Sequence, residues 1–300
     1  MPDFRWPPPP ERDPRRASTG RTPPQPGRRP PLPPPPTTLV PTPHGVALER
    51  LIASSGEPVT VFAHGMGYDI ANTRPLGSAV AGRKVFFQFR GHGRSDAPAG
   101  TWDYQDLARD LRAIADLSAA TRAVGAGLGA GALCRLLIDS PDRFDRLVFY
   151  LPALVDERES PVRPRLAGLL AAAEAQDVNM VSDAVMRELP PPVRHSQQAW
   201  QYLSSRLDQL LRPQLARGFA SLPYQVPVPD LEPLRKVDVP ALVIGSVADP
   251  MHPASAARRL AEALPRAVLH VYGKPGAYWC HRADLRDRIS SFLNARDHAG

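Results

Sequence analysis

From residue 44 onward the apolar residues follow two alternating rhythms. Short runs rich in Val, Ile, Leu and Phe fall at 45–53, 58–63, 84–89, 122–125, 146–151, 241–245 and 267–272. Runs of this length, bounded by Gly, Pro and Asp, read as strands; a nearly continuous one such as 58–63 reads as a strand covered on both faces. Between them lie stretches whose apolar residues recur three and four positions apart. The clearest is 104–117, where Leu107, Leu111, Ile114 and Leu117 line one side of a helix. Further helices are read at 130–139, 254–263 and 285–293. Strand–helix repetition of this kind predicts an α/β class protein with a doubly wound, mostly parallel sheet and helices on both faces.

The alternation breaks once. Residues 155–235 show helical spacing at 166–174, 178–189 and 197–211, separated by proline clusters at 190–192 and 223–229. This segment is expected to form a helical cap inserted into the frame. The organisation read from the pattern is a core at 44–154 and 236–300, a cap at 155–235, and a Pro/Arg-rich tail at 1–43.

Composition adds detail mainly at the tail. Of the 37 prolines, 17 fall in residues 1–43, where seven Arg face three acidic residues. That segment therefore carries +4 of the chain's net +7. It lacks the aliphatic residues of a core and is expected to be disordered, with polyproline II character. Its Pro31-Leu32-Pro33-Pro34 run is of the kind that docks in aromatic grooves. No apolar run follows the paired arginines, so a secretion signal is not expected. Nor does any stretch reach the roughly 18 apolar residues of a membrane span. No Lys/Arg stripe is interleaved with aromatics, so nucleic acid is not an expected partner. Cys134 and Cys280 form no metal-type pair, which fits a reducing cytoplasm; no metal and no cofactor are expected.

The candidate chemistry centres on Gly125-Ala126-Gly127-Leu128-Gly129, between a predicted strand and a predicted helix. A phosphate loop would end in Lys-Ser or Lys-Thr, and this run continues Ala130-Gly131-Ala132. A dinucleotide fingerprint can be threaded through Gly125, Gly127 and Ala130. However, the run lies mid-chain, and no acid ends the next strand to hold a ribose. The spacing also matches the G-x-S-x-G turn that exposes a nucleophilic Ser between a strand and a helix. Here Gly127 occupies the middle position, and glycine has no atom with which to attack.

Other motifs stand in a fixed order around this run. Phe62-Ala63-His64-Gly65-Met66-Gly67 ends one strand, and Phe89-Arg90-Gly91-His92-Gly93-Arg94-Ser95-Asp96 follows another. Leu242-Val243-Ile244-Gly245 leads to Asp249-Pro250-Met251-His252-Pro253, and Ala277-Tyr278-Trp279-Cys280-His281 comes near the end. In this order the chain resembles the α/β-hydrolase-fold superfamily, in its capped form, over about residues 44–295. The resemblance implies a cap between the sixth and seventh strands and places site residues one by one. Asp249 holds the acid position, and the main-chain N–H groups of Met66 and Leu128 are the oxyanion donors. Gly127 stands at the nucleophile position. The family's G-H-W-x-H pattern, kept in register by Trp279 and His281, puts Tyr278 where the catalytic His belongs. His281 matches a second His, which a loop shift would bring into the site. His64, Gly65, Tyr68 and His252 are expected to border the cleft.

Two functional expectations follow from the loss of Ser and His. In the first, the protein lacks serine-hydrolase activity, a pseudoenzyme that binds a small apolar molecule or a partner between cap and core. In the second, it is an enzyme without a nucleophile. A cyclase, lyase or isomerase, or a weak hydrolase using bound water, would then use Asp249 with Tyr278 or His281 for proton transfer.

Overall fold

A computed structural model describes residues 35–295 of the chain. The proline-rich run at 31–34 and most of the expected tail lie outside the described residues.

Eight strands form one sheet: β1 (Thr38–Pro41), β2 (Ala47–Ala53), β3 (Val59–Ala63), β4 (Arg83–Phe87), β5 (Arg122–Ala126), β6 (Arg146–Tyr150), β7 (Ala241–Ser246) and β8 (Ala267–Tyr272). Their spatial order is β1-β2-β4-β3-β5-β6-β7-β8. The pairs β1–β2 and β2–β4 are antiparallel, and the other five pairs are parallel. Thus the α/β class and the doubly wound, mostly parallel sheet expected from the two rhythms are present. One boundary differs. Thr38–Pro41 belongs to the sheet, although composition placed it in the tail ending at 43. Four residues flanked by prolines give no period to read. They are fixed by pairing with β2 at the sheet edge, where Pro41 is tolerated because an edge strand can leave an N–H side unused.

The helices are α1 (Ile70–Thr73), α2 (Tyr104–Leu117), α3 (Leu128–Asp139), α4 (Val162–Glu174), α5 (Val178–Arg187), α6 (Gln197–Leu210), α7 (Pro213–Gly218), α8 (Ala254–Ala263), α9 (Ala277–Cys280) and α10 (Arg282–Asn294). Residues two apart on a strand share a face. One face presents Phe62, Phe86, Val124, Val148, Leu242 and Ile244 to Leu285, Ile289 and Leu293 of α10. Helix α3 packs on β5 and beside α2. Between β6 and β7, α4–α7 pack on one another, with three short 3₁₀ turns between Pro191 and Lys236. Among the described residues no helix is long and apolar enough to cross a membrane.

The topology fixes where a site can form. The chain leaves β3 for β4 on one side and later adds β5 on the other. The carboxyl ends of β3 and β5 therefore flank a switch point, where open α/β sheets form their crevice. The loop 64–69 leaves β3 there, and the turn at Gly127 leaves β5.

Candidate active site

The turn at Gly127 is held by its neighbours' lack of side chains. A Cβ on Gly125 would lie 2.6 Å from the Gly129 carbonyl oxygen, and one on Gly129 would lie 2.4 Å from that of Ala63. Both distances are too short for any side chain, so β5, α3 and the end of β3 can meet this closely only through glycine. Gly127 itself has φ 51° and ψ −111°, a left-sided conformation in which other residues are strained. Its N–H donates to the Tyr150 carbonyl (3.0 Å), and the Gly129 N–H donates to that of His64 (3.0 Å). Leu128 is the first residue of α3, so its N–H has no acceptor within the helix.

The space above Gly127 holds His252. A Cβ on Gly127 would lie 3.1 Å from His252 Nε2 and 3.6 Å from Gly65 Cα. The other ring nitrogen, Nδ1, is 3.1 Å from Asp249 Oδ1. A local turn makes this possible. Both the Met251 and His252 N–H groups donate to the same Oδ1, each at 2.9 Å, which curls the chain back on Asp249. The electrostatics run as a pair. Burial pulls the His252 pKa down, but the charge and hydrogen bond of Asp249 outweigh it and leave the imidazole above its usual value. Burial pushes the Asp249 carboxyl up, yet His252 and the two N–H donors hold it below the usual carboxylate range. Each partner thus favours the charged form of the other.

The cleft has a cavity of about 140 Å³, bordered by Gly65, Tyr68, Gly127, Asp249, His252 and Tyr278, among others. A smaller cavity of about 40 Å³ is bordered by Met66 and Leu128, with Val162, Leu166 and Leu169 of α4. His252, Tyr68 and Glu188 border both.

The expected histidines separate by environment. His281 does not border either cavity; its ring stacks on Tyr272 at 4.7 Å. His64, expected at the cleft, is fully buried and borders neither cavity. Its Nδ1–H donates to the Gly65 carbonyl (2.7 Å), and its Nε2 accepts from the Phe89 N–H (3.0 Å). Burial pulls its pKa down to about 4, so the ring stays neutral and can keep that acceptor. His92 does the same for the loop above: its Nε2 accepts from the Gly67 N–H (3.0 Å). Both rings therefore position the loop after β3.

Sequence reasoning did not pick out a network from the helical insertion. Arg206 on α6 is 2 % exposed. It pairs with Glu188 (3.0 Å), lies over the Tyr68 ring (4.3 Å) and donates to the Met66 carbonyl. Tyr202 donates its hydroxyl proton to Glu188 Oε2 (2.9 Å), and the Tyr68 and Tyr202 oxygens are 2.8 Å apart. Burial pushes the Tyr68 pKa up to about 12. A signal for Arg206 is present in the sequence. It sits in the apolar register of α6 with Ala199, Leu203 and Leu210, where a charged residue must find a buried partner. Tyr68 reaches inward because Gly65 has no side chain: a Cβ there would lie 2.5 Å from Tyr68 Cδ2.

A sheet of this topology, with a glycine-bounded turn after β5, an acid after β7 and a glycine-containing loop after β3, defines an α/β hydrolase scaffold. A family model described as the alpha/beta hydrolase family matches residues 60–283, and the chain belongs to that family. It is 25% identical over 195 residues, 62% of this chain and 69% of the relative, to 3-oxoadipate enol-lactonase 2 of Acinetobacter baylyi. Among solved structures it is similar to the enol-lactonase from Burkholderia xenovorans (22% identity, TM-score 0.72, covering 86% of this chain and 100% of that one). It is also similar to an esterase from Exiguobacterium antarcticum (18% identity, TM-score 0.68, covering 86% and 99%). At these identities the two structures show a shared fold.

Proposed function

We propose that the protein binds a small molecule in the cleft between the sheet and the helical insertion, and moves a proton on it without forming an acyl-enzyme. One observation carries this reading: the Asp249–His252 dyad points Nε2 at the place where the nucleophile's side chain would stand. With no side chain at Gly127, covalent attack from that position has no atom to make it. The imidazole remains, oriented by a buried carboxylate, which is the arrangement of a general acid–base group.

The reaction class is proton transfer next to a carbonyl, as in an isomerase, lyase or cyclase. His252 Nε2 takes the proton from carbon. The electron pair moves onto the carbonyl oxygen, and the Met66 and Leu128 N–H groups are the donors available to it. The same Nε2–H then returns the proton to another carbon, or to the leaving group. The expected test is hydrogen–deuterium exchange on small cyclic ketones and enol lactones in deuterated water, followed by NMR. Exchange catalysed by the protein and lost in His252→Asn and Asp249→Asn supports the reading. Stoichiometric labelling of any Ser by a serine-directed phosphonate would overturn it.

A second reading, binding without turnover, is favoured by the Arg206–Glu188–Tyr202–Tyr68 network, whose ion pair and hydroxyl contacts hold one wall of the cleft in place before any ligand arrives. In that case ligands raise the melting temperature and no exchange occurs. In both readings the ligand is small, and the protein is a cytoplasmic one.

A further inference from the structure

The wall of the cleft has a hydrogen-bond direction built into it. Glu188, paired with Arg206, can only accept, so the Tyr202 hydroxyl proton is committed to its Oε2 (2.9 Å). A hydroxyl has one proton. The 2.8 Å contact between Tyr202 and Tyr68 must therefore be filled by the Tyr68 proton. The chain runs from Tyr68 to Tyr202 to Glu188, and it leaves only lone pairs on the Tyr68 oxygen. Any ligand group that meets this oxygen has to be a donor.

Two more features narrow the ligand. The charged residues that border the cleft are matched in pairs, Glu188 with Arg206 (3.0 Å) and Asp249 with His252 (3.1 Å). Among the described residues this leaves no unmatched charge to receive an ion, and a buried unpaired charge is costly. The side walls are aromatic. Tyr202 meets Trp279 edge to face at 5.5 Å, Tyr278 meets Trp279 at 5.8 Å, and Tyr150 completes the set. Such walls favour a planar ring. A cavity of about 140 Å³ has room for one six-membered ring, since an apolar cavity of roughly 150 Å³ accommodates benzene.

We infer that the cleft selects a neutral, planar, single-ring compound that carries a hydroxyl or N–H donor for the Tyr68 oxygen and a carbonyl function toward His252. This deepens the proposed function and rests on the cleft being the ligand site.

The test uses three probes and calorimetric titration of the full chain: 4-hydroxyacetophenone, its methyl ether, and 4-hydroxybenzoate. The hydroxy ketone should bind about tenfold more tightly than the ether, the effect of one hydrogen bond whose loss leaves a buried acceptor unpaired. The benzoate should bind more weakly than the ketone. Tyr68→Phe should remove the difference between ketone and ether. Tyr202→Phe gives the sharper result. It frees the Tyr68 proton to point at the ligand, so the ether should gain and the preference for the hydroxyl should shrink or reverse. Equal binding of ketone and ether to the unaltered protein, tighter binding of the benzoate, or no binding of any probe overturns the inference. The two proposals fail separately. Selective binding with no proton exchange sinks the catalytic reading alone. Exchange on the ketone with no discrimination against the ether sinks this one alone.

Discussion

A hydroxyl placed on Gly127 would meet His252 first. The missing Cβ is 3.1 Å from Nε2, and the far nitrogen of that ring already holds Asp249. Sequence order puts the base at Tyr278, so a repair would need Gly127→Ser and Tyr278→His together. The geometry makes Gly127→Ser alone the informative variant. It is expected to hydrolyse p-nitrophenyl acetate at rates lost on adding His252→Asn and unaffected by His281→Ala. The left-sided backbone at 127 should cost the Ser variant about 1–3 kcal/mol, read by urea unfolding. The same dyad gives a pH dependence. Proton abstraction needs neutral His252, whose pKa is raised, so the rate should climb with pH through a midpoint above about 6.5. Its contribution to stability has the opposite sense. It is fully present below about 6.5 and is lost as pH rises through the raised folded value. The Asp249 contribution is present above about 3.9 and is lost as pH falls through its lowered folded value. The stability difference between the unaltered protein and His252→Asn, followed by urea unfolding across pH, should therefore shrink toward alkaline pH.

At the level of single elements, the turn after β4 shows how a motif can be conspicuous and yet be scaffold. Arg90 is buried against Asp110 of α2, with Nε and Nη2 contacts at 2.9 and 2.8 Å, and His44 adds a third at 2.9 Å. Ser95 donates to the Gln88 carbonyl and accepts from the Glu49 N–H. Asp96 accepts from the Ala47 N–H. These bonds tie β2, the turn after β4 and α2 together, beneath the site and not in it. Asp110→Ala would remove the Nε and Nη2 contacts of the buried Arg90 guanidinium and leave Asp106 (2.9 Å) as its remaining carboxylate partner. It should cost up to about 3 kcal/mol in urea unfolding, the lower end of the cost of breaking a buried pair because Asp106 still compensates the charge, with the cleft residues untouched. The elements also show what the sequence could and could not reveal. α2 and α8 follow their patterns over their full lengths, because each buries one apolar face; β8 keeps its expected bounds with only Tyr272 buried and Val268 exposed, held by its pairing with β7. β1, α7 and α9 span four, six and four residues, too few to complete a period, and they are fixed by what they pack on. The scaffold of the site was legible in Gly125, Gly129 and Asp249. The role of His252 was not, because it depends on empty space above Gly127 and on a backbone curl at 249–252. A string of residue types carries neither.

Across the whole molecule the cleft is assembled from distant parts of the chain: the loop after β3, the turn after β5, the helical insertion, the loop after β7 and the short helix α9. Arg206 spans two of them. It anchors Glu188 within the insertion and the Met66 carbonyl on the loop after β3. Loss of this side chain should therefore loosen both regions at once. In Arg206→Met, amide hydrogen exchange is expected to rise together in α6 and in residues 65–68, with a lower melting temperature. If α6 alone exchanged faster, the bond to Met66 would have no part in holding the loop.

The three glycines of the turn after β5 also differ in what inheritance can do with them. At the outer two, any replacement drives an atom into a neighbouring carbonyl, so drift is closed to them. The middle one has room for a small side chain at the expense of a slight shift in one ring. A glycine codon ending in a pyrimidine lies a single base from serine. With glycine in the middle, the turn holds every expensive part in place, and the step to serine is one of the shortest that the genetic code offers.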